Sequence, residues 1–144
     1  MWSKLNSGVI ICVMKISTKG RYALRVMVEF ASHEGEILSL KSVADTQRIS
    51  LKYLEQIVQM LVKAELLSSF RGTNGGYKLA KPAEKITVAA VLNATEGEIA
   101  IVSCLDEKTC AYSSRCRTRK CWNKLNNLIN NYLENVSLAE LLKD

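Results

Sequence analysis

Two amphipathic stretches joined by a short link, with a glycine-rich turn close behind, constrain this chain more than any other feature. Ser39 is placed to cap a short helix, Leu40–Gln47, whose apolar positions are Leu40, Val43 and Ala44. Ser50 is placed to cap a longer helix running to about Leu66, in which Leu54, Ile57, Val58, Leu61 and Val62 form one stripe. Lys52, Gln56, Gln59 and Lys63 lie on the opposite side, with Tyr53 and Glu55 on its flanks. Such a pair describes a helix-turn-helix, although any helical hairpin with a solvated outer face has the same pattern. The next segment narrows the choice. Leu67–Arg71 and Tyr77–Ala80 are short, partly alternating runs around Gly72-Thr-Asn-Gly-Gly76, and Asn-Gly inside a glycine cluster signals a hairpin. A hairpin directly after the second helix is a wing, with Arg71 and Lys78 on it; the alternative is a plain surface hairpin. The order helix, helix, hairpin favours the wing.

The flanking segments supply a core and an appendage. From Ser17 to about Ser32, Ala23, Val26, Met27, Phe30 and Ala31 share one helix face, which Leu24 and Val28 broaden. Lys15, Lys19 and Arg21 crowd the start of that helix, where cations oppose its dipole. They either await an anion such as phosphate or form a solvated basic terminus. Gly35 closes the helix, and Pro82 ends the hairpin. Thr87 is placed to cap Val88–Thr95, and Gly97 stops it. Further on, Trp122, Leu125, Leu128, Ile129, Tyr132 and Leu133 trace a separate apolar stripe. A small domain already has its core, so this stripe points to a second copy of the chain or to folding back on its own domain. Asn126, Asn127, Asn130 and Asn131 are poor helix formers, so the helix depends on that packing. Leu138, Leu141 and Leu142 form a last short turn that Ser137 can cap.

The fold expected is mainly α with a small β-hairpin: a winged helix-turn-helix over residues 14–100, a cysteine loop over 101–121, and a dimerisation helix with a C-terminal turn over 122–144. Residues 1–13 carry no clear period and read as a disordered leader or a start placed too early. The chain's 144 residues suffice for one domain with a real core and an appended helix. A formal charge of +6 suggests a polyanionic partner, most often nucleic acid, although mild basicity also serves solubility. Val9–Met14 is too short to cross a bilayer, which takes roughly twenty apolar residues, and short for a signal peptide, so a cytoplasmic protein is expected. No phosphate-binding glycine loop, catalytic triad candidate or paired histidines are present, so the chain does not read as an enzyme.

Four of the five cysteines, Cys104, Cys110, Cys116 and Cys121, fall within eighteen residues of a segment with almost no apolar content. So polar a segment has little core to order it, and a metal, a metal–sulfur cluster or a disulfide would fix its shape. A reducing cytoplasm and an odd cysteine count disfavour disulfides. Thiolates suit both zinc and iron–sulfur clusters, but the short Cys-x2-4-Cys knuckle usual for zinc is absent. Cysteines six apart are turned by about 240° on a helix, so they converge only from a loop, which suits a larger cluster.

Met-Lys-Ile-Ser-Thr-Lys-Gly-Arg-Tyr-Ala-Leu-Arg (14–25), Ile-Ser-Leu-Lys-Tyr-Leu-Glu-Gln (49–56), Arg-Gly-Thr-Asn-Gly-Gly-Tyr (71–77) and the spacing Cys104-x5-Cys110-x5-Cys116 resemble the Rrf2 family of bacterial transcription regulators. The resemblance runs from Met14 almost to the C-terminus. It implies a homodimeric winged helix-turn-helix, with crossing C-terminal helices, that binds double-stranded operator DNA. It also places the chain in the cysteine-bearing branch, which holds an iron–sulfur cluster and includes regulators of iron–sulfur cluster assembly and nitric-oxide-sensing repressors. Carried over by position, Lys52, Tyr53, Glu55 and Gln56 would face DNA from the reading helix. Arg71 would reach the minor groove from the wing, and Ser17, Lys19 and Arg21 would sit near phosphates. Cys104, Cys110 and Cys116 would hold the cluster.

The fourth ligand is open. Family members that use histidine carry it where this chain has Arg119. Those that borrow a carboxylate from the partner's first helix carry it where this chain has Arg21. Cys121 is the candidate substitute, or else a buried or spare thiol; it lies about 140° round a helix from Cys116. His33, the only histidine, reads as a helix-end residue. The function implied is a repressor whose operator affinity is modulated by a cluster, [2Fe-2S] or [4Fe-4S], that senses iron–sulfur status, redox state or nitric oxide. A winged-helix regulator with structural zinc or a thiol switch, and a small iron–sulfur electron carrier, are the rival readings.

Overall fold

Helix α1 (Thr18–Ser32) sits at the centre of the domain because so much of its surface is apolar. The computed structural model describes residues 16–105 and 110–143; the leader or start expected over residues 1–13, with Cys12, and the basic Lys15 lie outside the described residues. Ala23, Val26 and Met27 are wholly buried and Phe30 nearly so. Burying a side chain of the size of Met27 or Phe30 stabilises the fold by about 1.5–3 kcal/mol. Five elements are placed by covering some part of α1: α2 (Leu40–Gln47), α3 (Leu51–Lys63), the second strand of the wing, α4 (Val88–Glu96) and α6 (Leu138–Leu141).

Hydroxyl side chains set the helix starts. Ser17, Ser39, Ser50, Thr87 and Ser137 each accept a hydrogen bond from the backbone N–H three residues on, capping α1, α2, α3, α4 and α6. Helix α5 (Arg119–Asn135) has no side-chain cap at Thr118. The two helices of the helix-turn-helix end alike. Arg48 and Glu65 take left-handed backbone conformations, and the N–H of the following residue reaches back five positions, Ile49 to Ala44 at 3.1 Å and Leu66 to Leu61 at 2.9 Å. This turn stops α3 at Lys63, short of the Leu66 expected from the stripe, and sends Leu66 and Leu67 into the core instead.

The wing is a two-stranded antiparallel sheet, β1 (Leu67–Phe70) and β2 (Gly76–Leu79), with Leu67 opposite Leu79 and Phe70 opposite Gly76. The Asn-Gly pair lies within a longer loop rather than forming a two-residue turn. Gly72 takes the positive φ, and Gly75 N–H donates to its carbonyl at 3.0 Å. The free edge of β2 is covered by Leu38, whose N–H and C=O pair with those of Tyr77, both at 2.9 Å.

The C-terminal turn is more than an appendage. Leu138 is wholly buried, and its N–H donates to Ile86 O at 2.9 Å while Val88 N–H donates to Val136 O at 2.9 Å. The end of α5 is thereby stitched to the strand-like entry of α4. Helix α5 itself packs against α4 but buries none of its residues, and Trp122, Leu125, Leu128 and Tyr132 stay exposed. It begins at Arg119, so the last three residues expected in the cysteine loop are helical. No helix among the described residues is long and apolar enough to cross a membrane.

A Cβ at Gly76 would stand 2.2 Å from Leu38 O, a backbone atom that cannot swing aside. Gly76→Ala should therefore break the Leu38–Tyr77 pairing and lower stability by about 1–3 kcal/mol. Chemical denaturation followed by circular dichroism checks this, and an unchanged midpoint would contradict the close approach.

Candidate nucleic-acid interface and cysteine loop

The capped start of α3 and the stripe that sinks its apolar side leave a polar face in solvent. Lys52, Glu55 and Gln56 are exposed on it, as are Gln59 and Lys63 further along. Tyr53 behaves differently: it is half-buried, with its ring edge-on to Tyr22 of α1 at 5.9 Å. This contact sets the start of α3 beside the start of α1, where Lys19 and Arg21 lie. Arg71 is exposed at the end of β1, and the Lys78 ammonium sits 4.9 Å from the centre of the Phe70 ring, on the same hairpin.

The start of α1 carries an acid as well as cations. The Ser17 hydroxyl accepts from Gly20 N–H at 3.2 Å and donates to the Glu96 carboxylate at the end of α4. Gly20 makes room for that carboxylate, since a Cβ there would stand 2.6 Å from Glu96 Oε1. The chain's own Glu96 thus partly answers the positive end of α1. Arg21 remains exposed and donates to Thr18 Oγ1 at 3.3 Å.

A polar cluster that periodicity gave no hint of ties α1 to the helix-turn-helix. Arg25 donates from Nε to Gln47 Oε1 and from Nη2 to Gln47 O, both at 3.1 Å, and Gln47 donates to Glu29 Oε2 at 2.9 Å. The Arg25 guanidinium also lies 5.3 Å from the Tyr22 ring centre. It holds the last turn of α2 from one side while Tyr22 supports Tyr53 on α3. Beside it, a groove of about 740 Å³ runs along α1, with Tyr22, Leu24, Val28 and Leu141 among its walls.

The cysteine loop has a defined entry and exit. Residues 99–105 run along α5 in the opposite direction to it. Asn130 Nδ2 donates to Ile99 O at 3.4 Å, Ile101 N–H donates to Asn126 Oδ1 at 3.1 Å, and Arg119 Nη2 donates to Leu105 O at 3.2 Å. Cys104 lies in a 3-10 turn (Ser103–Leu105) at the entry, and Cys116 stands just before α5 at the exit. Cys110 opens the stretch between them, and all three are partly shielded free thiols. The Thr118 hydroxyl lies 3.2 Å from Cys116 Sγ, and this contact holds the Cys116 thiol below its usual range. Cys121 is exposed, and on α5 it lies about 200° round from Arg119. It shares a face with Leu125, Leu128 and Tyr132, away from the side that grips residues 99–105.

Among the described residues, no three His, Cys, Asp or Glu side chains gather closely enough to surround a metal ion. The donor chemistry nevertheless fits a thiophilic metal centre: Cys104, Cys110 and Cys116 are unpaired thiols at or between the ends of one loop, and the Thr118 hydroxyl favours the thiolate of Cys116. Histidine takes no part, since His33 caps the end of α1 with its ring Nδ1 3.1 Å from Glu29 O. Arg119 and Arg21 are both engaged in local contacts, to Leu105 O and Thr18 Oγ1.

Comparison with known proteins agrees with this architecture. The family model described as Rrf2, iron-dependent transcriptional regulator, matches residues 16–144. The HTH-type transcriptional regulator IscR of Erwinia tasmaniensis is 39% identical over 133 residues, covering 91% of this chain and 80% of the relative. That of Vibrio campbellii is 37% identical over 132 residues, covering 91% and 79%. Among solved structures, CymR, the global cysteine regulator of B. subtilis, superposes with a TM-score of 0.76 at 36% identity, covering 90% of this chain and 96% of that one. IscR of T. potens superposes with a TM-score of 0.73 at 37% identity, covering 90% and 87%.

The Arg25 cluster makes a prediction of its own. Arg25→Leu removes two hydrogen bonds to Gln47 and should cost about 1–3 kcal/mol of stability. Its local mark should be faster amide exchange at Arg48 and Ile49, where α2 turns into α3. Exchange measured by mass spectrometry would refute the assignment if that turn stayed as protected as before.

Proposed function

The chain belongs to the Rrf2 family of transcriptional regulators, and from that premise we propose a dimeric, cytoplasmic repressor whose operator affinity is set by an iron–sulfur cluster on Cys104, Cys110 and Cys116. One observation carries this reading: a loop of free thiols leads directly into the exposed helix α5, while the same domain presents a polar helix face and a charged wing. The cluster would supply a centre reactive toward oxidants and nitric oxide. The chain's own residues would bind it, shape the loop and carry the result to α5.

Lys52, Glu55 and Gln56 are assigned to the DNA major groove. Gln and Glu suit adenine and cytosine edges, and a lysine suits guanine or phosphate. Tyr53 is assigned to the rim of that surface, where Tyr22 fixes its ring. Arg71 is assigned to the minor groove beside the wing, and Lys19 and Arg21 to flanking phosphates. Ser17 acts there through its cap, since Glu96 already holds its hydroxyl. The second copy would cover the exposed stripe of Trp122, Leu125, Leu128 and Tyr132 and the groove along α1, two apolar surfaces that a monomer leaves in water. The iron-dependent description of the matching family model supports the iron–sulfur reading, and the thiol set is consistent with it.

Anaerobic purification followed by absorption and Mössbauer spectroscopy, with iron and sulfide counted per dimer, tests the cluster and its type. Cys110→Ala should abolish the cluster signal while the circular dichroism of the winged domain is kept. Cys121→Ala should retain it, because Cys121 faces away from the loop entry. Zinc without iron or sulfide would overturn the proposal in favour of a structural site.

DNA binding is tested separately. Arg71→Ala should weaken binding to any duplex and reduce the steepness of the salt dependence by about one charge. Gln56→Ala should cost about 1–3 kcal/mol on the operator and relax base preference at one position. Gel-shift titrations across salt concentrations distinguish the two patterns.

A further inference from the structure

Seen down the axis of α5, Arg119, Asn126 and Asn130 fall within an arc of about 40°, while Cys121, Leu125, Leu128 and Tyr132 fall on the far side. The helix therefore has two faces with different tasks. We propose that Arg119, Asn126 and Asn130 are positioning residues: a polar clamp that lays residues 99–105 along α5 and closes the neck of the cysteine loop. The clamp holds the turn that carries Cys104 beside the start of α5.

The donor and acceptor pattern argues for a built feature. Ile101 offers an N–H, so Asn126 must meet it with its carbonyl oxygen; Ile99 offers a C=O, so Asn130 must meet it with its amide nitrogen. Asparagine can do either, and its two neighbours of the same type are placed otherwise. Asn127 and Asn131 are exposed, on neither the clamp nor the apolar stripe. A stretch without secondary structure, Ile99–Val102, has backbone groups that need partners, and Ile101 is buried. The asparagines supply those partners without requiring a strand. Arg119 completes the row by spanning to Leu105 O, one residue past Cys104. A residue at position 119 therefore supports the loop backbone and leaves ligation to the thiols.

The inference concerns the protein with or without a metal centre, although its value for ligand placement rests on the cluster reading. In metal-free protein, amide exchange at Ile101 should be about tenfold faster in Asn126→Leu than in wild type. Asn126→Asp, which keeps an acceptor oxygen, should stay near wild type. Cluster-loaded Arg119→Ala and Asn130→Asp should release iron to a chelator about tenfold faster than wild type, with Asn127→Asp and Asn131→Asp unchanged. Equal exchange at Ile101 in wild type and Asn126→Leu, or equal acceleration in the Leu and Asp variants, would overturn the clamp. Chelator rates in Arg119→Ala and Asn130→Asp that match wild type would overturn its role in holding ligands. A wild-type protein that takes up no cluster would sink the cluster reading and leave the exchange result to decide the clamp by itself.

Discussion

Everything in this domain hangs on the burial of α1. A helix apolar over so wide an arc cannot rest on one neighbour; it must be enclosed, and the elements that enclose it acquire fixed relations to one another. The helix-turn-helix, the wing and the C-terminal turn are arranged by this single requirement. Its reach extends to the presentation of the reading face. Tyr22, on the half-buried shoulder of α1, meets Tyr53 on α3, so the second helix of the helix-turn-helix is set against the helix at the centre of the core.

Polar contacts take over where burial stops. The cysteine loop has no core to order it, and hydrogen bonds from α5 organise its entry. At its exit, the Thr118 hydroxyl engages Cys116 rather than capping the helix it precedes. These ties are modest singly, about 0.5–1.5 kcal/mol each. On the proposed cluster reading, ties of this size suit a segment that must change when the cluster is lost, because a strongly packed loop could not respond.

Much of this was legible in the residues. The hydroxyl caps at Ser39, Ser50, Thr87 and Ser137 announce their helices, because capping is a local interaction between near neighbours, whereas Ser17 did not read as a cap. The wing follows from its glycines. What escaped was long-range. Leu38 pairs with Tyr77 across an intervening helix-turn-helix, and no local pattern marks a one-residue bridge. The stop of α3 at Lys63 depends on a left-handed Glu65, a conformation that glutamate does not advertise. Leu138 read only as part of a capped last turn but fills the core, since its burial depends on where α5 returns the chain. Asn126 and Asn130 read only as weak helix formers. Their spacing of four, along the edge of the apolar stripe next to Leu133, was the available clue. The candidate ligands were visible from cysteine spacing, whereas the opposed placement of Cys121 needed the true start of α5.

The anchorage of α5 is unequal at its two ends. Its C-terminal end is fastened by a buried leucine and paired backbone groups, while its start is held by side-chain hydrogen bonds beside the thiols. A helix of this length spans about 25 Å, so a cluster-driven change at the loop would act on it as on a lever whose fixed end is near Leu138. A tilt of about five degrees would carry the free end roughly 2 Å, a helix displacement of the size that switches subunit interfaces. Mechanical advantage in this fold therefore lies with the loop.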